Sequence, residues 1–151
     1  MFGDLADLYQ EVILEHSRKP RHGTRLSRFD ASAKGHNPMC GDRVQVFVQR
    51  GPKGEIADIG FEARGCAISV ASADLMAEVV RGRTEEEVRG IAEKFRALAR
   101  TGETGAADDE ALEALQPLAG VHSYPSRVKC ATLAWHALLA ALQGEKEAGS
   151  E

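Results

Sequence analysis

Leu5, Leu8, Tyr9, Val12 and Ile13 recur at the spacing of one helix face, with acids early and the basic run "HSRKPRHG" after them. That rhythm predicts an amphipathic helix over residues 4 to 16. The rhythm then shortens. "RVQVFVQR" (Arg43 to Arg50) alternates polar and apolar residues, "GPKG" turns the chain, and "EIADIGFEARG" alternates again through Ile56, Ile59, Phe61 and Ala63. Two half-buried strands in an antiparallel hairpin follow from this period of two. "ASAKGHNP", upstream, supplies a short third strand. From Cys66 the period lengthens, and Ile68, Ser72, Leu75, Met76 and Val79 fall on one helical stripe ending near Gly82. Thr84 and Glu87 stand at capping-box spacing and open a further helix through about Leu98. "RTGETGAADDE" reads as a solvated loop, Asp108 or Asp109 caps a short helix to about Leu115, and "GVHSYPSR" reads as a second loop. Pro125 and Ser126 start a last helix whose apolar face is Leu133, Ala134, Ala137, Leu138 and Ala141. A hairpin followed by helices gives an α+β fold, one domain over residues 1–143, with residues 144–151 expected to be a disordered tail.

Composition narrows the function classes. A chain of 151 residues buries roughly two-thirds of its unfolded surface, so the core needs no disulfide or structural metal to hold it. With 43% hydrophobic and 28% charged residues and a net charge of −4, it lacks the basic excess of a nucleic-acid binder. No window reaches the apolar length that spans a bilayer, and "MFGDLADLYQEVILEH" lacks the pattern of a secretory leader, so a cytoplasmic protein is expected. Three cysteines cannot all pair within one chain, and reducing cytosol favours metal binding or thiol chemistry as their use.

Each cysteine sits where an element begins or a turn ends. Cys40 lies in "NPMCGD", Cys66 opens a helix in "ARGCA", and Cys130 lies in the first turns of the last helix in "SRVKCA". A helix N-terminus favours a thiolate by roughly 0.3–1 kcal/mol, and Arg64, Arg127 and Lys129 stand beside these cysteines in sequence. Gly41 and Gly65 let the backbone turn tightly next to two of them. The wide separations match no zinc-finger spacing, so two readings stand: three small buried hydrophobes, or one shared site. Asp42 bears on the choice. Its carboxylate lies two residues past Cys40, and three thiolates with one carboxylate make a tetrahedral zinc set; as a plain turn residue it would instead accept from backbone amides. No histidine is assigned as a ligand. His136 is about 240° around the helix from Cys130, His16 and His22 belong to the basic end of the first helix, where solvation is the norm, and His36 and His122 fall in loops.

Taken together, "NPMCGD", "ARGCAISVASADLMAEVVRG" and "SRVKCATLAWHAL" resemble the U-type iron–sulfur cluster assembly proteins, the NifU N-terminal/IscU-like family, and look most like its SufU branch. The match runs from the first helix to about Leu142. The resemblance implies a small antiparallel sheet of about three strands packed on helices, with the cysteine loops at one end. It implies Cys40, Asp42, Cys66 and Cys130 as metal ligands and zinc (Zn2+) as the ion. It further implies sulfur acceptance from a SufS-like cysteine desulfurase for iron–sulfur assembly and delivery to downstream assembly proteins or apoproteins. The alternative is a scaffold that builds and passes on a transient 2Fe–2S cluster, and a third reading is a zinc-stabilised structural domain. Lys129 stands where the scaffold branch carries a histidine, the stretch from Arg100 to Tyr124 looks longer than in that branch, and "YPSRVK" does not reproduce its chaperone-docking motif. Cys40, on a loop, is expected to be the sulfur acceptor, with Cys130 as the second reactive thiol.

Overall fold

The computed structural model describes residues 2–38, 41–103 and 110–148, with side chains from residue 9 onward. The elements run α1 (Phe2–Arg18), β1 (Ala31–Asn37), β2 (Asp42–Arg50), β3 (Ile56–Arg64), α2 (Ala67–Val80), α3 (Glu85–Thr101), α4 (Glu110–Leu115), a 3₁₀ segment (Gln116–Ser123), α5 (Pro125–Leu142) and β4 (Glu147–Ala148). The expected α+β class holds.

The alternating segments become the hairpin β2–β3, antiparallel with Val46 opposite Phe61 and a bulge at Gln49/Arg50. β1 adds antiparallel to β2, with Asn37 opposite Asp42. Glu147 and Ala148, in the stretch expected to be a tail, pair in parallel with Lys34 and Gly35 of β1; residues 149–151 lie outside the described residues. The sheet therefore has four strands in the order β3-β2-β1-β4. Only one face was expected to be buried along β2, yet Val46, Phe47 and Val48 are all fully buried. The chain leading into β1 folds over the outer face there, so Phe29 packs edge-on against Phe47 at 5.1 Å between centroids and the Arg25 guanidinium stands 5.2 Å from the Phe47 ring.

On the inner face Val44, Val46 and Val48 meet α2 and α5 in one core that includes Met76, Leu133 and Leu138. The helical spacing predicts a single apolar stripe for α2. Instead it is buried nearly all round, Ala71, Ala73, Asp74 and Ala77 included, because α1 covers one flank while α5 and β3 cover others. α3 packs on α5 through Phe95, stacked on Trp135 at 5.0 Å. Full burial of Phe47, Phe61 and Phe95 contributes about 1.5–3 kcal/mol each by transfer from water.

The Thr84–Glu87 capping box forms as its spacing predicted, with both reciprocal hydrogen bonds, and Gly102 ends α3 in the left-handed region. α4 forms where a short helix was expected, though Asp108 and Asp109, the expected caps, lie outside the described residues. The stretch "GVHSYPSR" is a correction: residues 116–123 wind as a 3₁₀ helix, because Leu118 and Val121 are drawn into the core. His16 is a second correction. Its side chain is only 14% exposed, and its Nδ1 lies 2.5 Å from Oδ2 of Asp74 on α2, whose Oδ1 also accepts from the His22 amide at 2.8 Å.

That buried carboxylate ties α1 and its following turn to α2. Asp74→Ala leaves the His22 amide and the His16 ring without their acceptor and is expected to cost about 1–3 kcal/mol, measured as a lowered urea midpoint at unchanged slope. Hydrogen bonds from the Thr84 amide and hydroxyl hold the Glu87 carboxyl below its ordinary value. Its contribution to stability is complete above about pH 4.5 and is lost as the pH falls through the lower folded value. Glu87→Gln should flatten that part of the stability–pH curve, read by thermal denaturation between neutral and acid pH.

Candidate metal and thiol site

Three elements converge at the end of the sheet where β2 begins and β3 finishes. Asp42 is the first residue of β2 and is 1% exposed. Cys66 is the N-cap of α2, with extended backbone and no side-chain bond that caps the helix. Cys130 lies in the second turn of α5 and is buried, while Cys66 is exposed. The ligand atoms of Asp42, Cys66 and Cys130 all lie within 4.8 Å of one another. Three of the four expected ligands thus meet. Cys40 lies outside the described residues, in the stretch that joins β1 to β2, two residues before Asp42.

The local backbone explains why. Gly41 and Gly65 flank the site with positive φ, +73° and +153°. At Gly65 a Cβ would overlap the Asp42 carboxylate, so glycine leaves the space into which that carboxylate fits as the chain turns from β3 into Cys66. Asp42 Oδ1 accepts from the Cys66 amide at 3.0 Å, and Oδ2 accepts from the Ser69 hydroxyl at 2.6 Å and from the Cys66 thiol at 3.5 Å. Burial alone would push the Asp42 carboxyl up. Hydrogen bonds from the Cys130 thiol, Ser69 and the Cys66 amide and thiol outweigh it and hold the group below its ordinary value, as a carboxylate at neutral pH.

Sequence reasoning missed Ser69. It is fully buried, one turn into α2, and its Oγ also lies 3.3 Å from the Cys130 carbonyl and 3.7 Å from Cys66 Sγ. The available signal was a serine three residues after a cysteine, in the first turn of a mostly apolar helix. Ser72, on the same helix, instead donates to the Ala131 carbonyl at 2.5 Å and so fixes α2 against α5. His122 is exposed and bonds the Ala119 carbonyl, and the ligand-distance cluster around Asp42 contains no histidine among the described residues.

The donor set fits a zinc ion. Ligands 2.0–2.3 Å from a tetrahedral ion stand about 3.3–3.8 Å from each other, and Cys66 Sγ to Asp42 Oδ2 is 3.5 Å. The thiols of Cys66 and Cys130 both hydrogen-bond to the same carboxylate, and a bound ion would take the place of their protons.

A four-stranded sheet backed by helices, with two cysteines and a buried aspartate gathered at its end, defines a class, and the chain belongs to it: residues 8–131 match the NifU-like N-terminal domain family. Within that family it is IscU/SufU-like. It is 38% identical over 139 residues to the iron–sulfur cluster assembly scaffold protein IscU of Streptococcus pyogenes serotype M1, covering 92% of this chain and 85% of that protein. It is 35% identical over 136 residues to the zinc-dependent sulfurtransferase SufU of Bacillus subtilis, covering 89% of each. A crystal structure described as an iron–sulfur cluster assembly scaffold protein for the SUF system, from Fervidobacterium islandicum AW-1, superposes with a TM-score of 0.78 at 30% identity, covering 87% of this chain and 94% of that one. No helix among the described residues is long and apolar enough to cross a membrane.

Ser69 holds one carboxylate oxygen in place, and loss of such an outer hydrogen bond typically costs about 10–100-fold in metal affinity. Ser69→Ala should show that loss for zinc in chelator competition, and Ser69→Thr should recover part of it. Equal affinity in all three proteins would remove Ser69 from the site.

Proposed function

We propose that this chain accepts persulfide sulfur from a cysteine desulfurase and carries it into iron–sulfur cluster assembly, with Cys40, Asp42, Cys66 and Cys130 as the site. The observation that carries the reading is the convergence of two thiols on one buried carboxylate beside the Cys40 stretch. Zinc is the ion proposed there, and when bound it would keep the thiols ionised at neutral pH and shield them from oxidation. The residues' own work is separable from it. Asp42 accepts the thiol hydrogen bonds, Ser69 and the Cys66 amide fix its orientation, and Gly65 leaves room for it.

In the transfer, the Cys40 thiolate attacks the outer sulfur of the donor's cysteine persulfide. The donor's S–S bond breaks, its thiolate leaves, and a persulfide now sits on Cys40. One S–S bond forms and one breaks, so no external oxidant or reductant is needed. Cys130 is the second reactive thiol in this proposal.

The scaffold reading is the alternative, supported by the names of the IscU relatives from Streptococcus pyogenes and Thermotoga maritima. Lys129 before Cys130, in place of the scaffold branch's histidine, and the similarity to the Bacillus subtilis sulfurtransferase favour transfer. The two readings separate by where labelled sulfur goes. With a desulfurase and 35S-cysteine, label should appear on Cys40 of the wild type, and Cys40→Ser should abolish it while Cys66 and Cys130 remain in place. Label recovered only as inorganic sulfide in a coloured cluster, with none on Cys40, would favour the scaffold.

A further inference from the structure

The outer face of the sheet carries a charge pattern that the candidate site does not explain. Register places Arg43 of β2 directly opposite Arg64 of β3 on one side and His36 of β1 on the other. All three are exposed. Like charges facing each other across strands destabilise a sheet, and guanidinium groups cannot shed the charge by losing a proton. None of the three side chains takes part in an ion pair or side-chain hydrogen bond among the described residues, although six other basic residues of this net-acidic chain do pair with carboxylates. The acids nearest in register among the described residues are Glu62, opposite Gln45 one pair along the outer face, and Glu147, paired with Lys34 at the far edge, and neither forms an ion pair with the three. These side chains line one concavity of about 790 Å3.

The position of the row decides what it is for. Arg43 follows Asp42 and Arg64 precedes Gly65, so the row closes the same sheet end as the metal and thiol site. Because side chains alternate across a strand, Asp42 points inward and Arg43 outward at that end. A protein that delivers sulfur to this end must cover its rim, and the rim's outward side is cationic.

Resting on the sulfur-transfer reading, we propose that the row His36–Arg43–Arg64 is the electrostatic docking element for a carboxylate-rich patch on the sulfur-donating protein. It sets the encounter rate and orientation of the donor over the site. The cost of two facing guanidinium groups in the free chain is relieved when the patch covers them. Exposed charges of this kind act on association more than on dissociation, and salt screens them.

The test uses the full chain and the cysteine desulfurase encoded in the same genome, with association followed by stopped-flow at low and high ionic strength. Arg43→Gln/Arg64→Gln should slow association about tenfold at low salt, lose most of that difference at high salt, and melt at or above the wild-type temperature. The double variant should retain wild-type zinc content. Unchanged association and salt dependence, with wild-type transfer intact, overturn the docking element and leave the sulfur-transfer reading standing. A change confined to self-association in sedimentation would also overturn it, assigning the row to a second copy of this chain. A wild type that neither binds the desulfurase nor accepts its sulfur overturns both.

Discussion

A carboxylate taken out of water must be met by donors, and Asp42 is met by four: the Cys66 amide and thiol, the Ser69 hydroxyl and the Cys130 thiol. Those donors come from the start of α2 and from α5, so burying one aspartate at the head of β2 obliges the sheet and both central helices to keep a fixed mutual placement. Removing such a group's partners costs more than a typical exposed ion pair contributes. The reactive chemistry is thereby built into the packing. α2 and α5 are the most completely buried helices, fastened to each other by the Ser72 hydroxyl on the Ala131 carbonyl, and the two described thiols stand at the N-cap of α2 and in the second turn of α5.

How much of this was legible in the sequence depended on how local its cause was. The β2–β3 hairpin was readable because alternation and the "GPKG" turn are written into consecutive residues, and the α3 start was readable because a capping box closes within four residues. Cys66, Cys130 and Asp42 could be grouped once three motifs in order were weighed together, since each motif alone also fits a buried thiol or a turn. What escaped had distant causes. The double burial of β2 at Phe47 depends on Phe29 and Arg25 folding across the sheet, and the His16–Asp74 tie joins residues 58 apart along the chain. The 3₁₀ segment escaped because its glycine, histidine and serine advertise a loop, whereas Leu118 and Val121 are pulled inward by the α3 surface.

The division of labour between the two faces of one sheet end follows from strand geometry. A period of two places Asn37 and Asp42 among the helices and His36 and Arg43 in solvent, one residue away. The inner set is neutralised locally by hydrogen bonds and has no need of an outside partner to be stable. On the outer face Arg43 is repelled by Arg64 directly opposite it. A single register therefore yields an interior that selects its ligand atoms and an exterior that gains by being covered, without any added domain.

Transfer and scaffolding differ in what they ask of the same ligand atoms. A scaffold must hold its cargo until an acceptor arrives and is served by ligands that stay put. A sulfur acceptor must let one thiol react while the others keep the site together. The described residues divide along that line: Cys130 and Asp42 are buried within the helix and sheet packing, while Cys66 is exposed. A site with one thiol and its carboxylate anchored in the core and a second thiol exposed at the rim can present one sulfur without unpacking α2 from α5. That asymmetry is why the transfer reading is preferred for this chain.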